Sequence, residues 1–211
     1  MEKFYKSQIK QDQWILSKLN DKKNGFYVDI GAFDGIQLSN TYAMSQIGWS
    51  GICVECNPKI IQKLKQNRES NKCKICNNPI WDKDGKLLSF HGAEMLSYAI
   101  ECNTKTITSL ANLSISLNTL LEEYKAPKNI DYISLDIEGA ELKILESFDF
   151  NKWNVRCWTV EHNLDKSEDN FNKIVFLLLK YGYLVKWHDW DIFAIKDDIE
   201  SEYIVNGERI K

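Results

Sequence analysis

The chain has 211 residues, of which 44% are hydrophobic and 12% aromatic, and its formal net charge at pH 7 is −3. This composition excludes an intrinsically disordered protein and predicts a single globular domain over residues 1–211. The slight negative charge, without a basic stripe in the sequence, argues against nucleic acid as a main partner. No run of about 18 apolar residues could span a bilayer, and the first residues lack the apolar segment of a signal peptide, so we expect a cytoplasmic protein.

The chain begins with a helical pattern over residues 7–20. Ile15, Leu16 and Leu19 form an apolar stripe that is typical of a helix packed against a core. We interpret this helix as part of an N-terminal extension of about residues 1–22.

The next stretch, F-Y-V-D-I-G-A-F-D-G from Phe26 to Gly35, is a strand followed by a glycine loop. Its aromatic and β-branched residues favour a strand that is buried on both faces of a parallel sheet. Gly31 and Gly35 allow a sharp turn and a close approach to a ligand, and Ser39 is a candidate N-cap for a helix over 40–47. This order predicts a nucleotide pocket.

The second apolar run, residues 51–54, ends in Glu55. An acid at this position can accept hydrogen bonds from ribose hydroxyls, and its distance of about 20 residues from the loop fits one βαβ unit. Pro58 suits the first turn of a helix that ends near residue 68, and a third strand is predicted over 73–77.

The six cysteines include two C-x-x-C pairs. The pairs are Cys53 with Cys56 and Cys73 with Cys76, and their separation fits a zinc site with four cysteines. Against zinc, Cys53 and Cys73 lie in apolar runs, and neither pair is followed by a glycine for a tight knuckle. We therefore favour buried, reduced thiols on neighbouring strands.

A variable insertion is predicted over about residues 79–116, because its pattern departs from the alternation of strands and helices. The D-K-D-G sequence at 82–85 is a turn signal, and residues 87–90 suit a short extended segment. Residues 93–112 show no clean period, which predicts a mobile or substrate-facing loop.

The second half of the chain resumes the alternation. Two of its strands lead into acids, with Asp136 after one and Glu161 followed by His162 after the other. A hairpin and a frayed tail close the pattern. We predict helices over 117–124, 140–148 and 169–181, and strands over 130–135, 155–160, 183–187 and 192–196.

Together these elements predict an α/β fold with a doubly wound, mostly parallel sheet and one antiparallel strand near its edge. Ligands of such sheets bind outside the carboxyl ends of the strands, at the point where the strand order reverses. The polar residues expected there are Asp29, Glu55, Asp136, Glu161 and His162.

Five short motifs carry a family resemblance. They are S-Q-x-x-Q-D-x-W from Ser7, V-D-I-G-A-F-D-G-x-x-x-S-N-T from Val28, G-W-x-G-I-C-V-E-x-N-P from Gly48, S-L-D-I-E-G-A-E from Ser134, and V-E-H-N from Val160. In this order and spacing the chain resembles the FkbM-type S-adenosylmethionine-dependent methyltransferases, which have the Rossmann-like class I methyltransferase fold. The resemblance implies a seven-stranded sheet, S-adenosylmethionine as cofactor, and O-methylation of a hydroxyl on a sugar, glycan or related small molecule.

The resemblance also assigns roles to residues. It implies that Gly31 and Gly35 carry the backbone past the methionine part of the cofactor, that Glu55 holds the ribose, and that Asp136 lies at the amino end. The general pattern prefers a glycine where this chain has Phe33. The implied cofactor-binding set is Asp29, Gly31, Ala32, Phe33, Asp34, Gly35, Asn40, Glu55, Asn57 and Asp136.

Methylation of a hydroxyl requires that the hydroxyl lose its proton. His162 has the side chain best matched to a general base at neutral pH, although it could instead cap its strand. Asp136 and Glu161 could share a divalent metal ion that orients the hydroxyl. We therefore expect His162, Asp136 and Glu161 to be the catalytic residues, with a small molecule or carbohydrate as acceptor.

Two other functions remain open from the sequence. An NAD-dependent oxidoreductase would also use a Rossmann-like sheet, but the loop lacks the second glycine of G-x-G-x-x-G. A zinc-stabilised interaction module, built on the two C-x-x-C pairs, would not be an enzyme.

Overall fold

A seven-stranded sheet forms the centre of the computed structural model, which describes residues 4–70, 72–91, 98–101, 111–162, 167–197, 204–205 and 208–209. The strands are β1 (Phe26–Ile30), β2 (Ser50–Val54), β3 (Cys73–Cys76), β4 (Ile80–Trp81), β5 (Leu87–His91), β6 (Tyr98–Glu101), β7 (Asn112–Leu113), β8 (Ile115–Ser116), β9 (Asn129–Leu135), β10 (Asn154–Glu161), β11 (Tyr183–His188), β12 (Asp191–Lys196), β13 (Ile204–Val205) and β14 (Glu208–Arg209). The helices are α1 (Gln11–Lys18), α2 (Tyr42–Gln46), α3 (Ile61–Arg68), α4 (Leu117–Glu123), α5 (Glu141–Ser147) and α6 (Glu168–Lys180).

The order of the strands in the central sheet is β11-β12-β10-β9-β1-β2-β3. All neighbours pair in parallel except β12, which runs antiparallel to both β10 and β11. The chain order reverses between β1 and β9, so the carboxyl ends of these two strands define the switch point where ligands bind. The predicted doubly wound sheet with one antiparallel strand is confirmed.

Helices cover both faces of this sheet, which explains the nearly continuous apolar run in β1. Val28 and Ile30 pack in a core with side chains of α4, α5 and α6. Tyr27 packs in a second core with side chains of α1, α2 and α3. Successive side chains of a strand point to opposite faces, so both sets must be apolar when both faces are buried.

The insertion contains short sheets rather than one long loop. β4 pairs with β8, and β5 pairs with both β6 and β7. The expectation of a loop over 93–112 is therefore wrong for residues 98–101 and 112, because backbone pairing with β5 orders them where hydrophobic periodicity is absent. Residues 93–97 and 102–110 of that prediction lie outside the described residues.

Several helices begin later than the sequence predicts, because side chains bind the backbone of the preceding turn. Asp12 accepts hydrogen bonds from the amides of Lys6 and Ser7, which places these residues before the first helix. Ser39 does accept from backbone amides, but they belong to Thr41 and Tyr42, so the second helix begins at Tyr42. Such local bonds compete with helix formation.

The predicted tail is only partly described. Residues 204–205 and 208–209 form a two-stranded antiparallel pair instead of a frayed end. Within the described part of the chain, no helix is both long and apolar enough to cross a membrane.

Candidate functional site

The glycine loop after β1 crosses directly over the end of β9. At Gly31 φ is +90°, and an added Cβ would stand 1.8 Å from the carbonyl oxygen of Asp136. The amides of Gly31 and Ala32 both donate to the carbonyl oxygen of Val54, at 3.1 and 2.9 Å. Only glycine fits at position 31, and the loop is thereby fixed between the ends of β9 and β2.

The second glycine makes room for helix α3. A Cβ on Gly35 would approach the side chains of Leu64 and Arg68 to 2.6 and 2.4 Å. Next to it, Asp34 accepts hydrogen bonds from the amides of Ile36 and Gln37. These residues therefore shape the outer half of the loop and dock it on α3.

Arg68 holds this loop from beneath, a role that the sequence does not indicate. Its side chain is 5% exposed, and its guanidinium donates to the carbonyl oxygen of Gly35 at 2.7 Å, the hydroxyl of Tyr27 at 2.8 Å and Oγ1 of Thr41 at 3.0 Å. Thr41 in turn donates to Asp29 at 2.6 Å. Burial raises the pKa of Asp29, while Thr41 and Arg68 oppose that shift. Asp29 thus lies under the loop and supports it.

Glu55 joins the loop to the end of β2. Its carboxylate accepts a hydrogen bond from the amide of Phe33 at 3.1 Å and one from the amide of Asn57 at 2.7 Å. Burial raises the pKa of Glu55 to about 6, although these amides favour the ionised form. Phe33 has φ of +48°, a left-handed conformation that glycine adopts more easily. Phe33 therefore takes a backbone conformation that suits glycine, the residue that the general pattern prefers at this position.

Asn40 and Asn57, also in the predicted set, lie near the two ends of this region. Nδ2 of Asn40 donates to Oγ of Ser134 at 2.9 Å, and Oδ1 of Asn40 is buried without a hydrogen-bond partner among the described residues. Oδ1 of Asn57 accepts from the amide of Lys59 at 3.0 Å, so Asn57 orders the turn before α3.

Three carboxylates meet where β9 and β10 end. Oxygen atoms of Asp136, Glu138 and Glu161, hereafter the acidic trio, lie within 4.8 Å of one another, and all three residues are partly exposed. Burial strongly raises the pKa of Asp136, and the negative charge of Glu161 adds to this shift. The sequence predicted the meeting of Asp136 and Glu161 but missed Glu138, whose position in S-L-D-I-E-G-A-E was its only signal.

A fourth acid lies beside the acidic trio. Asp191 pairs in register with Glu161, is 6% exposed, and accepts a hydrogen bond from Nε2 of Gln11 at 2.9 Å. Burial raises its pKa to about 6, and the bond from Gln11 opposes the shift. Gln11 and Asp191 are 180 positions apart in the chain, so only the fold brings them together.

His162 lies on the opposite face of the sheet from the acidic trio. Because side chains alternate along a strand, Glu161 and its neighbour His162 point to different faces. The ring of His162 is 4% exposed and makes an edge contact with Phe171 of α6, with 5.2 Å between ring centres. Its backbone amide donates to the carbonyl oxygen of Trp190. The catalytic role of His162 stays a prediction, and its surroundings are those of a packing residue.

The four cysteines do not converge as a zinc site requires. Sγ of Cys53 and Sγ of Cys73 are 3.6 Å apart in the core beneath α1, α2 and α3, whereas Cys76 packs in the core on the other face. Among the described residues, only the acidic trio is arranged to hold a metal ion. The alternative of a zinc-stabilised module is therefore contradicted. Cys73 and Cys76 are three residues apart on one strand, so their side chains point to opposite faces of the sheet.

Comparison with known proteins gives a family and a fold. A family model described as "Methyltransferase FkbM domain" matches residues 29–185. The chain is similar to the crystal structure of precorrin-6y C5,15-methyltransferase from Geobacter metallireducens GS-15, with a TM-score of 0.51, 13% identity, and coverage of 92% of this chain and 93% of that one. It is also similar to methyltransferase FkbM from Methylobacillus flagellatus KT, with a TM-score of 0.53, 13% identity, and coverage of 81% of this chain and 43% of that one. No curated protein sequence matches the chain.

Proposed function

Because this chain belongs to the methyltransferase FkbM domain family, we propose that it transfers a methyl group from S-adenosylmethionine to a hydroxyl of a sugar, glycan or related small molecule. One observation carries the cofactor assignment. The carboxylate of Glu55, at the end of β2, is held by the amide of Phe33 in the glycine loop, 3.1 Å away. This contact joins a loop that can approach a ligand to an acid that can bind ribose.

The hydrogen bonding of Glu55 fits a ribose ligand. A carboxylate has about four lone-pair sites. The amides of Phe33 and Asn57 occupy two of them, and the amide of Cys56 also stabilises the ionised carboxylate. The capacity that remains can accept a hydrogen bond from a ribose hydroxyl. The amides also fix the orientation of the carboxylate before a ligand arrives, which lowers the entropy that binding costs.

The charge of the acidic trio fits the other end of the cofactor. S-adenosylmethionine carries an ammonium and a sulfonium group, and when bound it supplies an activated methyl group. Asp136, whose pKa is raised by burial and by Glu161, would be stabilised in its ionised form by a nearby cation. Asn40 donates through Nδ2 to Ser134, on the strand that leads to Asp136. Its Oδ1 offers a further buried acceptor. We assign Asp136 to the cofactor's amino end.

The same carboxylates can take the proton that the acceptor hydroxyl loses. A general base works best when its pKa is near the working pH. Burial raises the pKa of Asp136, but the cation of a bound cofactor would oppose that shift, so Asp136 is a less suitable base than Glu161. Glu161 lies beside it and faces the same side of the sheet. We therefore place the proton acceptor at Glu161 rather than at His162.

Calorimetry tests the cofactor assignment. S-adenosylmethionine and its demethylated product should bind, and NAD should not. Binding of NAD without a response to either methyl-cycle ligand would overturn the proposal and favour the oxidoreductase alternative. Mass spectrometry of reactions with glycans and small hydroxylated molecules, in the presence of S-adenosylmethionine, then identifies the acceptor.

A further inference from the structure

A cavity of about 500 Å³ lies between the insertion and the segment that follows β9. Trp81, Ile100 and Glu101 line it from the insertion, and Glu138 and Lys143 line it from the segment after β9 and from α5. Glu138 is also a member of the acidic trio. A molecule in this cavity therefore reaches the place where we expect methyl transfer.

The wall of the cavity combines an ordered aromatic ring with polar groups. Nε1 of Trp81 donates to Oε1 of Glu101 at 2.8 Å, and the Trp81 side chain is almost fully buried, so the ring has a fixed orientation. Nζ of Lys143 lies 4.9 Å from the centre of that ring, and Lys143 is exposed. Because Trp81 is only 5% exposed, the apolar surface that a ligand can reach is mainly that of Ile100, which is 46% exposed. This surface can pack against the C–H groups of a pyranose, while carboxylate and ammonium groups bind its hydroxyls.

The charges of the cavity disfavour an anionic ligand. Glu101 is paired with Lys86 at 2.8 Å, and Lys86 also pairs with Asp82 at 3.0 Å, so the charge of Lys86 is already balanced. Lys143 is then the one cation among the described lining residues, and its ammonium group lies over the Trp81 ring. A phosphate group here would meet an excess of negative charge from the acidic trio.

We propose that this cavity binds the ring of an uncharged saccharide acceptor, and that it discriminates against sugars that carry a phosphate or diphosphate group. The proposal rests on the methyltransferase function proposed above, and it adds the acceptor's location and charge. Glu138 would hold the acceptor at the end nearest the acidic trio, and Ile100 and Lys143 would contact the rest of the ring.

The test compares matched pairs of acceptors on the full chain with S-adenosylmethionine. Each methyl glycoside of glucose, galactose, mannose and rhamnose is compared with the nucleoside diphosphate form of the same sugar, and methylated products are quantified by mass spectrometry. We expect at least one glycoside to be methylated with kcat/KM about tenfold or more above that of its nucleotide counterpart. A higher kcat/KM for the nucleotide sugars would overturn the proposal.

Two variants locate the acceptor in the cavity. Lys143→Gln should raise KM for the glycoside about fivefold, because a charged donor to the sugar is replaced by a shorter, neutral one, and should leave the dissociation constant of S-adenosylmethionine unchanged. Lys152→Gln is the matched control, because Lys152 also lies over a tryptophan, 5.5 Å from the Trp153 ring, but outside the cavity. Glu101→Gln removes a negative charge and keeps an acceptor for Trp81, so it should reduce the discrimination against nucleotide sugars several-fold. Equal kinetics for all three variants and the wild type would exclude this cavity.

Saturation-transfer NMR separates failure of this proposal from failure of the proposed function. It measures binding of the methyl glycosides to the protein without S-adenosylmethionine. Glycoside binding that Lys143→Gln weakens supports the cavity even if no transfer occurs. If S-adenosylmethionine binds but no glycoside binds or is methylated, the acceptor proposal is wrong and the cofactor assignment stands.

Discussion

Glu55→Gln should change both the pH dependence of stability and the affinity for the cofactor. Burial raises the pKa of Glu55 from 4.5 to about 6 in the folded protein. A raised acid pKa destabilises the folded state where the acid is ionised. The cost of Glu55 is therefore absent well below pH 4.5, grows between pH 4.5 and about 6, and is constant above that. The shift corresponds to about 2 kcal/mol in the free energy of unfolding.

Glutamine cannot ionise, so it removes this pH dependence. Between pH 4.5 and 7, the difference in unfolding free energy between the Gln variant and the wild type should therefore change by about 2 kcal/mol in favour of the variant. The absolute stability also loses one amide hydrogen bond, because the Gln amide nitrogen cannot accept from Phe33 or Asn57. Urea unfolding at a series of pH values measures the difference, and a difference independent of pH would refute the reasoning.

Binding of 5′-methylthioadenosine isolates the ribose contact, because this molecule lacks the amino-acid end of the cofactor. Loss of hydrogen bonds to a charged acceptor costs about 1.5–3 kcal/mol, so Glu55→Gln should weaken binding about 10- to 100-fold. Asp191→Asn is the matched control, because the pKa of Asp191 is also about 6 and β12 lies four strand positions from β2. It should show a similar pH effect on stability with unchanged affinity. Equal affinities of wild type and Glu55→Gln would place the ribose elsewhere.

The remaining predictions concern the loop, the histidine and the acidic trio. Gly31→Ala should lower the free energy of unfolding in urea by several kcal/mol more than Gly182→Ala, because a Cβ at 31 would stand 1.8 Å from a backbone oxygen. Gly182 has φ of +77° and open space around its Cβ position, so its substitution costs about 1–2 kcal/mol. Equal losses would contradict the packing argument. Arg68→Met should weaken S-adenosylmethionine binding measured by calorimetry, because the loop loses its hydrogen bonds to the guanidinium. Unchanged affinity would show that the loop keeps its conformation without Arg68. His162→Ala should lower the melting temperature and keep most of the turnover per folded molecule, whereas a loss of about 10²-fold or more in kcat would make it a general base. EDTA should leave methyl transfer unchanged if the acidic trio serves the cofactor's cation, and activity that is lost and then restored by Mg²⁺ would assign the trio to a metal ion.

The local features of the fold could be predicted from the sequence, because they depend on patterns within a few residues. The period of the apolar residues indicated each strand of the central sheet and the helices that pack on it. The ends of the strands placed Glu55, Asp136 and Glu161 on the side of the sheet where the parallel strands end. The motifs from Val28 and Ser134 also indicated the family, which the match over residues 29–185 shows. The predicted first residues of the helices were less accurate, because side chains such as Asp12 accept hydrogen bonds from backbone amides that the sequence pattern assigned to a helix or its first turn.

Contacts between distant segments were decided only by the tertiary structure. Gln11 reaches Asp191, and Arg68 reaches Gly35 from the end of a helix that looks purely structural in the sequence. Gly35 shows the difference most clearly. Its spacing from Gly31 suggested a cofactor contact, which stays a prediction, whereas the structure adds that Leu64 and Arg68 fill the space where its Cβ would stand. Likewise, the pleat of β10 turns His162 toward Phe171 and Glu161 toward Asp136. A sequence determines which side chains are adjacent along an element, whereas the packing of that element determines which of them meet.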